Sequence, residues 1–181
     1  MKVVAIVGSP HPDGNTSYLV DEALKELASR GIETEKISLA ECAIAPCQGH
    51  DKCGTFKVCK IKDDGPAVIQ KFNAADAVIL ASPVYFGDVT AQMKAFIDRN
   101  FFTFIHDGRK KAKYAGLIAI GGGGGAEETA ATLKRFAGLP DEAFFIVAGY
   151  HGEKAAKDKP ALVKQARDMG KQIAAKLNAK K

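Results

Sequence analysis

Val3-Val4-Ala5-Ile6-Val7-Gly8-Ser9-Pro10-His11-Pro12-Asp13-Gly14-Asn15-Thr16-Ser17 sets an apolar run directly before a polar, glycine-containing turn. The residues that follow, Leu19, Val20, Ala23, Leu24 and Leu27, recur at helical spacing, so the stretch reads as strand, turn and helix. The first amides of a helix have no intrahelical partner and carry the positive end of its dipole, which makes such a turn a natural place for an anion. Gly8 and Gly14 permit close backbone approach, and Ser9, Asn15, Thr16 and Ser17 offer side-chain donors. The turn holds no Lys or Arg, and Asn15 stands where a triphosphate loop needs Lys after its second glycine. With only Gly8 and Gly14 available, the three-glycine dinucleotide pattern fails as well. The turn is therefore either a site for a single phosphate or an ordinary capped turn.

Working outward, Gly31 ends the first helix, and Ile32 to Leu39 mixes apolar and charged residues as an outer strand does. Residues 40–62 form a long irregular segment that holds all four cysteines, and a loop of that length in a compact domain usually has a function. Asp63 and Asp64 open a helix carrying Val68, Ile69 and Phe72, and Ala77 to Ala81 is a continuously apolar strand of the kind buried on both faces. Ser82 to Asp88 leads into a helix with Met93, Phe96 and Ile97. The apolar strand Tyr114 to Ile120 runs into Gly121 to Gly125 and then a helix from Glu127 to Ala137. Ala143 to Ala148 is a further strand ending at Gly149, followed by a basic helix with Leu162, Val163, Ala166, Met169, Ile173 and Leu177 on one side. Strand and helix alternate five times, the pattern of a three-layer, doubly wound α/β domain on a parallel sheet. Residues 1–181 are expected to form one domain with the cysteine segment inserted at 40–62.

The length of 181 residues suffices for a full core. The formal charge is +5, and eight Lys and Arg residues lie between Lys157 and Lys181, around the apolar stripe rather than interleaved with aromatics. That arrangement describes a solvated helix face and argues against nucleic acid as a partner. No apolar run is long enough to span a bilayer, and the chain enters a strand at once without a signal-peptide pattern. A cytoplasmic protein without a membrane partner is expected. In that reducing compartment the four cysteines are core, metal or redox residues rather than a disulfide framework.

Ligands of doubly wound sheets bind beyond the carboxyl ends of the strands. There the chain has the turn at 8–17, the loop Ser82 to Asp88 and the run Gly121 to Gly125, which are expected to converge. Tyr85 and Phe86 either line a ligand or anchor their loop on the core. The glycines either offer bare backbone to the edge of a flat ring or form a flexible connection. A flat polar ring joined to one phosphate describes FMN.

Three motifs carry a family resemblance: Gly8-Ser9-Pro10 with Gly14-Asn15-Thr16, Pro46-Cys47 through Cys59 to Asp64, and Ser82 to Gly87 followed by Met93 to Arg99. In this order they resemble the flavodoxin-like NAD(P)H-dependent FMN reductases, and within that group the iron-sulfur flavoproteins. The resemblance implies a flavodoxin-like five-stranded sheet in the order 2-1-3-4-5, with the FMN phosphate held by Ser9, Asn15, Thr16 and Ser17. It implies ring contacts from Pro83, Val84, Tyr85, Phe86 and Gly87 and from Gly122, Gly123 and Gly124. His11 stands where the family often has Arg or Lys, which would make phosphate binding weaker or more dependent on pH. NAD(P)H is the implied electron donor, and a quinone, a free flavin, a metal or a redox protein the acceptor. Hydride transfer requires no acid or base, and no side chain is singled out for one. A homo-oligomer, dimer or tetramer, is also implied. The aromatic stretch Asn100 to His106, expected to be a loop, either lies at a subunit interface or tucks into its own core. His106 and His151 have no partner legible from spacing and are expected at the surface.

The cysteine segment resembles the C-x2-C-x2-C-x4-to-7-C pattern of the iron-sulfur branch at Cys47, His50, Cys53 and Cys59, with histidine in place of the second cysteine and Cys42 upstream. Three thiolates and an imidazole suit an iron-sulfur cluster or structural zinc, and plain thiols in a loop over the flavin are the third reading. Two rivals to a reductase stand beside it: an iron-sulfur electron carrier reduced by ferredoxin, and a cofactor-free binding or regulatory protein that keeps the fold. The basic charge separates the chain from small acidic flavodoxins.

Overall fold

Five strands form one parallel sheet in the order β2-β1-β3-β4-β5, where β1 is Lys2–Val7, β2 Glu33–Ser38, β3 Ala77–Pro83, β4 Ala115–Gly121 and β5 Phe144–Tyr150. The computed structural model describes residues 1–106, 108 and 110–179, so Lys180 and Lys181, expected with the basic helix, lie outside the described residues. The continuously apolar strands β1, β3 and β4 occupy the centre, and the charged β2 takes one edge. This is what their composition dictates, since a central parallel strand is covered on both faces. Val7 stands opposite Ala81, and Ala81 opposite Ile118, so the carboxyl ends of the three central strands are level.

Among the described residues the helices are α1 Asn15–Ala28, α2 Gly65–Ala74, α3 Ala91–Arg99, α4 Phe101–Ile105, α5 Ala126–Ala137 and α6 Pro160–Asn178, and all but α4 pack on the sheet. Alternate residues of the central strands feed two cores, as the twofold side-chain period requires. Val3, Ala5 and Val7 pack with Leu19, Leu27, Met169 and Ile173 of α1 and α6. Val4, Ile6, Leu80 and Leu117 pack with Phe72, Met93, Phe96 and Leu133 of α2, α3 and α5. The α1–α6 contact is so close that a Cβ on Gly170 would lie 2.4 Å from the carbonyl oxygen of Ala23. Buried Glu22 joins the same two helices, accepting from Lys25 at 2.6 Å and from Arg167 at 2.7 Å. The Lys25 ammonium, together with Arg167, outweighs desolvation and holds its carboxyl below the usual range.

One expectation changes. The stretch Asn100 to His106 is a short helix over Phe101–Ile105 rather than a loop, because Asn100 turns the chain by donating its side-chain amide to the Phe96 carbonyl at 2.8 Å and a new helical turn starts at once. The cysteine segment is irregular apart from single 3-10 turns at Leu39–Glu41 and Cys53–Thr55. Among the described residues no helix is long and apolar enough to cross a membrane.

Candidate active site

The turn between β1 and α1 is set by its own side chains. The Ser9 hydroxyl accepts from the His11 amide and donates to the His11 carbonyl, both at 3.1 Å, and the Gly14 amide donates to the same carbonyl at 3.0 Å. Ser9, expected as a phosphate donor, therefore uses its hydroxyl within the turn, and the exposed His11 contributes backbone to it. The first helical hydrogen bond of α1 runs from the Tyr18 amide to the Gly14 carbonyl, so the amides of Asn15, Thr16 and Ser17 precede the helical ladder. Asn15 accepts from the Ala156 amide at 2.9 Å through Oδ1, which leaves its NH2 group as the free donor end. Thr16 and Ser17 are buried in this first turn.

Two residues that the sequence did not single out complete this corner. Thr90, wholly buried at the start of α3, donates to the Gly8 carbonyl at 2.5 Å, accepts from the Met93 amide at 3.2 Å and gives its own amide to Ser82 Oγ at 3.1 Å. One side chain thus fastens the loop after β1 to the loop after β3. A Thr just ahead of a helical pattern is a readable cap, but its partner Gly8 is distant in sequence. Lys36 of β2 reaches across to donate to Ser17 Oγ at 3.1 Å. The cation missing from the turn itself is supplied from a neighbouring strand.

After β3, Tyr85 and Asp88 exchange backbone hydrogen bonds of 2.9 and 3.1 Å around Phe86 and Gly87, whose φ values are 54° and 80°. Positive φ at both central residues defines a type I′ turn, which costs an L-residue about 1–2 kcal/mol. Phe86 sits there fully exposed, and Tyr85 is half exposed. Neither ring anchors its loop on the core. The glycine run after β4 rests directly on this turn. Gly125, at φ 93°, leaves so little room that a Cβ would lie 2.9 Å from both Gly87 Cα and Val84 Cγ1. At Gly122, Gly123 and Gly124 a Cβ would meet nothing within 4 Å, so packing does not demand glycine there and bare backbone faces open space. Tyr150 fixes the exit of the run, accepting from the Ala126 amide at 3.3 Å and donating to Glu127 at 2.6 Å. That phenolic hydrogen bond holds the Glu127 carboxyl below its ordinary range. The loops after β1, β3 and β4 therefore meet through Thr90 and through the Val84–Gly87–Gly125 contact.

The metal set expected at Cys47, His50, Cys53 and Cys59 is not assembled as ligands. Among the described residues no three His, Cys, Asp or Glu side chains are gathered so that they could hold a metal ion. His50 stands edge-on to Phe56 at 5.9 Å, and Cys59 Sγ lies 3.5 Å from Arg99 Nη2. Burial pushes the Cys53 thiol up, with Cys59 and then Cys47 adding to the shift. Cys42 faces the Ser38 carbonyl instead, at 3.3 Å. The segment is pinned by a buried pair: Asp63 and Arg99 bond at 2.6 and 3.0 Å, and Arg99 also donates to the Ala45 carbonyl at 3.0 Å. His106, exposed as expected, has its two ring nitrogens each 2.8 Å from a carbonyl, those of Phe102 and Phe56, partners that spacing did not reveal, and so links α4 to the cysteine segment. His151 Nδ1 lies 3.1 Å from the Lys154 carbonyl. A cavity of about 560 Å³ is lined not by the three loops but by Cys47, Ile97, Asn100, Phe101, Phe104 and Phe136 among others.

Residues 1–144 match the family described as NADPH-dependent FMN reductase. An iron-sulfur flavoprotein of Methanocaldococcus jannaschii is 44% identical over 138 residues, covering 75% of this chain and 71% of the relative. One of Archaeoglobus fulgidus is 43% identical over 136 residues, covering 75% of this chain and 61% of the relative. The solved structure of an NAD(P)H:quinone oxidoreductase from Methanothermobacter marburgensis shares the fold, with a TM-score of 0.76 at 15% identity over 96% of each chain. The chain belongs to the NADPH-dependent FMN reductase family, in its iron-sulfur flavoprotein branch.

Proposed function

We propose that this protein is an FMN-binding oxidoreductase that passes electrons from NAD(P)H to a quinone, a flavin or a metal acceptor. The observation that carries the reading is the meeting of a helix N-terminus, a type I′ turn and three unobstructed glycines at one end of the sheet. These residues fit the cofactor. The amides of Asn15, Thr16 and Ser17 with the side chains of Asn15 and Ser17 would hold the phosphate, and the backbone of Val84 to Gly87 and of Gly122 to Gly124 would border the ring. FMN itself supplies the hydride and electron chemistry, while the chain contributes position and electrostatics. Protein reconstituted with FMN is expected to show a flavin absorption spectrum and to oxidise NADH or NADPH when a quinone, free flavin or ferric acceptor is present. Absence of turnover with every such pair would reject the reading.

A second reading, an electron carrier reduced by ferredoxin through an iron-sulfur cluster, draws on the names of the relatives and on the sequence spacing of Cys47, Cys53 and Cys59. The donor set as it stands does not fit a cluster, because the four side chains are not gathered and His50 replaces a thiolate. Iron and acid-labile sulfide in anaerobically purified protein would favour this second reading; titration of four free thiols without iron would reject it.

We further propose a homo-oligomer whose contact includes α4, where Phe101 is 50% and Phe104 76% exposed on a helix with no fully buried residue. Sedimentation is expected to show a dimer or tetramer that dissociates on dilution, and replacement of Phe104 by Glu is expected to shift it toward monomer. A monomer at all concentrations would refute the proposal.

A further inference from the structure

Building on the FMN reading, we infer that Lys36 is a positioning residue for the cofactor phosphate, acting through the hydroxyl of Ser17. The turn at 8–17 contains no Lys or Arg, which leaves an incoming phosphate with amides and hydroxyls alone. Lys36 lies opposite Ala5 in the edge strand β2, and its ammonium reaches the first turn of α1. There it meets Ser17 Oγ at 3.1 Å and Asp21 at 2.8 Å to Oδ1 and 2.9 Å to Oδ2. Asp21 holds the ammonium beside the turn and offsets part of its charge.

The direction of the Ser17 bond is fixed by chemistry. An ammonium has donors and no acceptor, so the Ser17 oxygen accepts, and its own proton must be given elsewhere. Among the described residues no acceptor for that proton is found. A buried hydroxyl proton at a helix N-terminus, beside a cation, is complemented by an anionic oxygen. Ser9 differs, since its hydroxyl already donates to the His11 carbonyl. Lys36 thus does two things for a phosphate: it adds positive potential next to the first-turn amides, and it leaves Ser17 as a donor with nothing else to bind.

The test compares FMN with riboflavin, which share the ring and differ in the phosphate, by titrating the apoprotein and following flavin fluorescence. Wild type is expected to prefer FMN. Lys36→Met is expected to raise the Kd for FMN about tenfold, the scale of a lost charge-assisted hydrogen bond, and to leave the Kd for riboflavin unchanged. Lys36→Arg, which keeps charge and donors, is expected to recover the preference. An equal loss of both ligands in Lys36→Met would assign the residue a merely structural role and overturn the inference. An unchanged FMN preference in that variant would overturn it as well, with the FMN reading intact. Failure of wild type to bind either flavin would remove the FMN reading itself and the role of Lys36 with it.

Discussion

Asp63→Asn is expected to lower the free energy of unfolding by about 3–5 kcal/mol, because it strips the counter-ion from a buried guanidinium. Arg99 is 2% exposed, and the side chain of Asp63 is 9% exposed. The two meet through two bonds, and the same carboxylate accepts from the amides of Ala45 and Gly65 at 2.9 Å each. The amide replacement keeps the shape and some of the acceptors but cannot balance the charge. Desolvation pulls the Asp63 carboxyl upward, and Arg99 with the two amides outweighs it, so the folded protein holds this group below its ordinary range. A carboxyl depressed by folding adds stability in full above its unfolded pKa, and that contribution is lost as pH falls through the lower, folded value. Urea unfolding of wild type should therefore weaken more steeply with acid than that of Asp63→Asn. Because the pair also binds the Ala45 carbonyl, alkylation of Cys59 should quicken in the variant. A loss below about 1 kcal/mol, the scale of an exposed pair, would show that the guanidinium finds water instead.

Thr90→Val is expected to cost about 2–4 kcal/mol, combining a lost helix cap with a buried carbonyl left without its donor. Valine preserves the volume, so the loss reads the hydroxyl alone. That hydroxyl joins the Gly8 carbonyl to the start of α3, and a Cβ on Gly8 would lie 2.7 Å from Met93 Cβ, which shows how closely the turn lies on that helix. Weakened FMN binding should accompany the loss of stability, since the phosphate turn would no longer be fastened to the loop proposed to border the ring. Thr90→Ser, which retains the hydroxyl, is expected to keep most of both. Equal stability of the valine and serine variants, measured by denaturant unfolding, would reject the fastening role.

The alternation of strands and helices was legible because it rests on local periodicity, and the central strands on their unbroken apolar runs. The three loops were legible because glycine and proline mark where backbone does something special. The partners of those loops were not. Thr90 and Lys36 act on residues far along the chain, and nothing in their own neighbourhoods points to Gly8 or Ser17. Ser9 shows the converse, since its type promises a ligand donor while its geometry commits the hydroxyl to its own turn. Helix α4 escaped because five residues are too few for a helical period to register. The cysteine spacing matched a pattern, yet spacing in an irregular segment does not say whether the thiols converge.

The hydrogen bond between Asn15 and Ala156 has a consequence in time. The two residues are 141 positions apart, and α1 rests on α6, which begins at Pro160. At the usual pace of translation that separation is on the order of 10 s. Asn15 therefore leaves the ribosome well before the amide it binds, whereas the partners that Thr90 and Lys36 supply to the same turn are made sooner. Until α6 follows, Leu19, Val20 and Leu27 have the strands beneath them but lack Met169 and Ile173, the far side of their core.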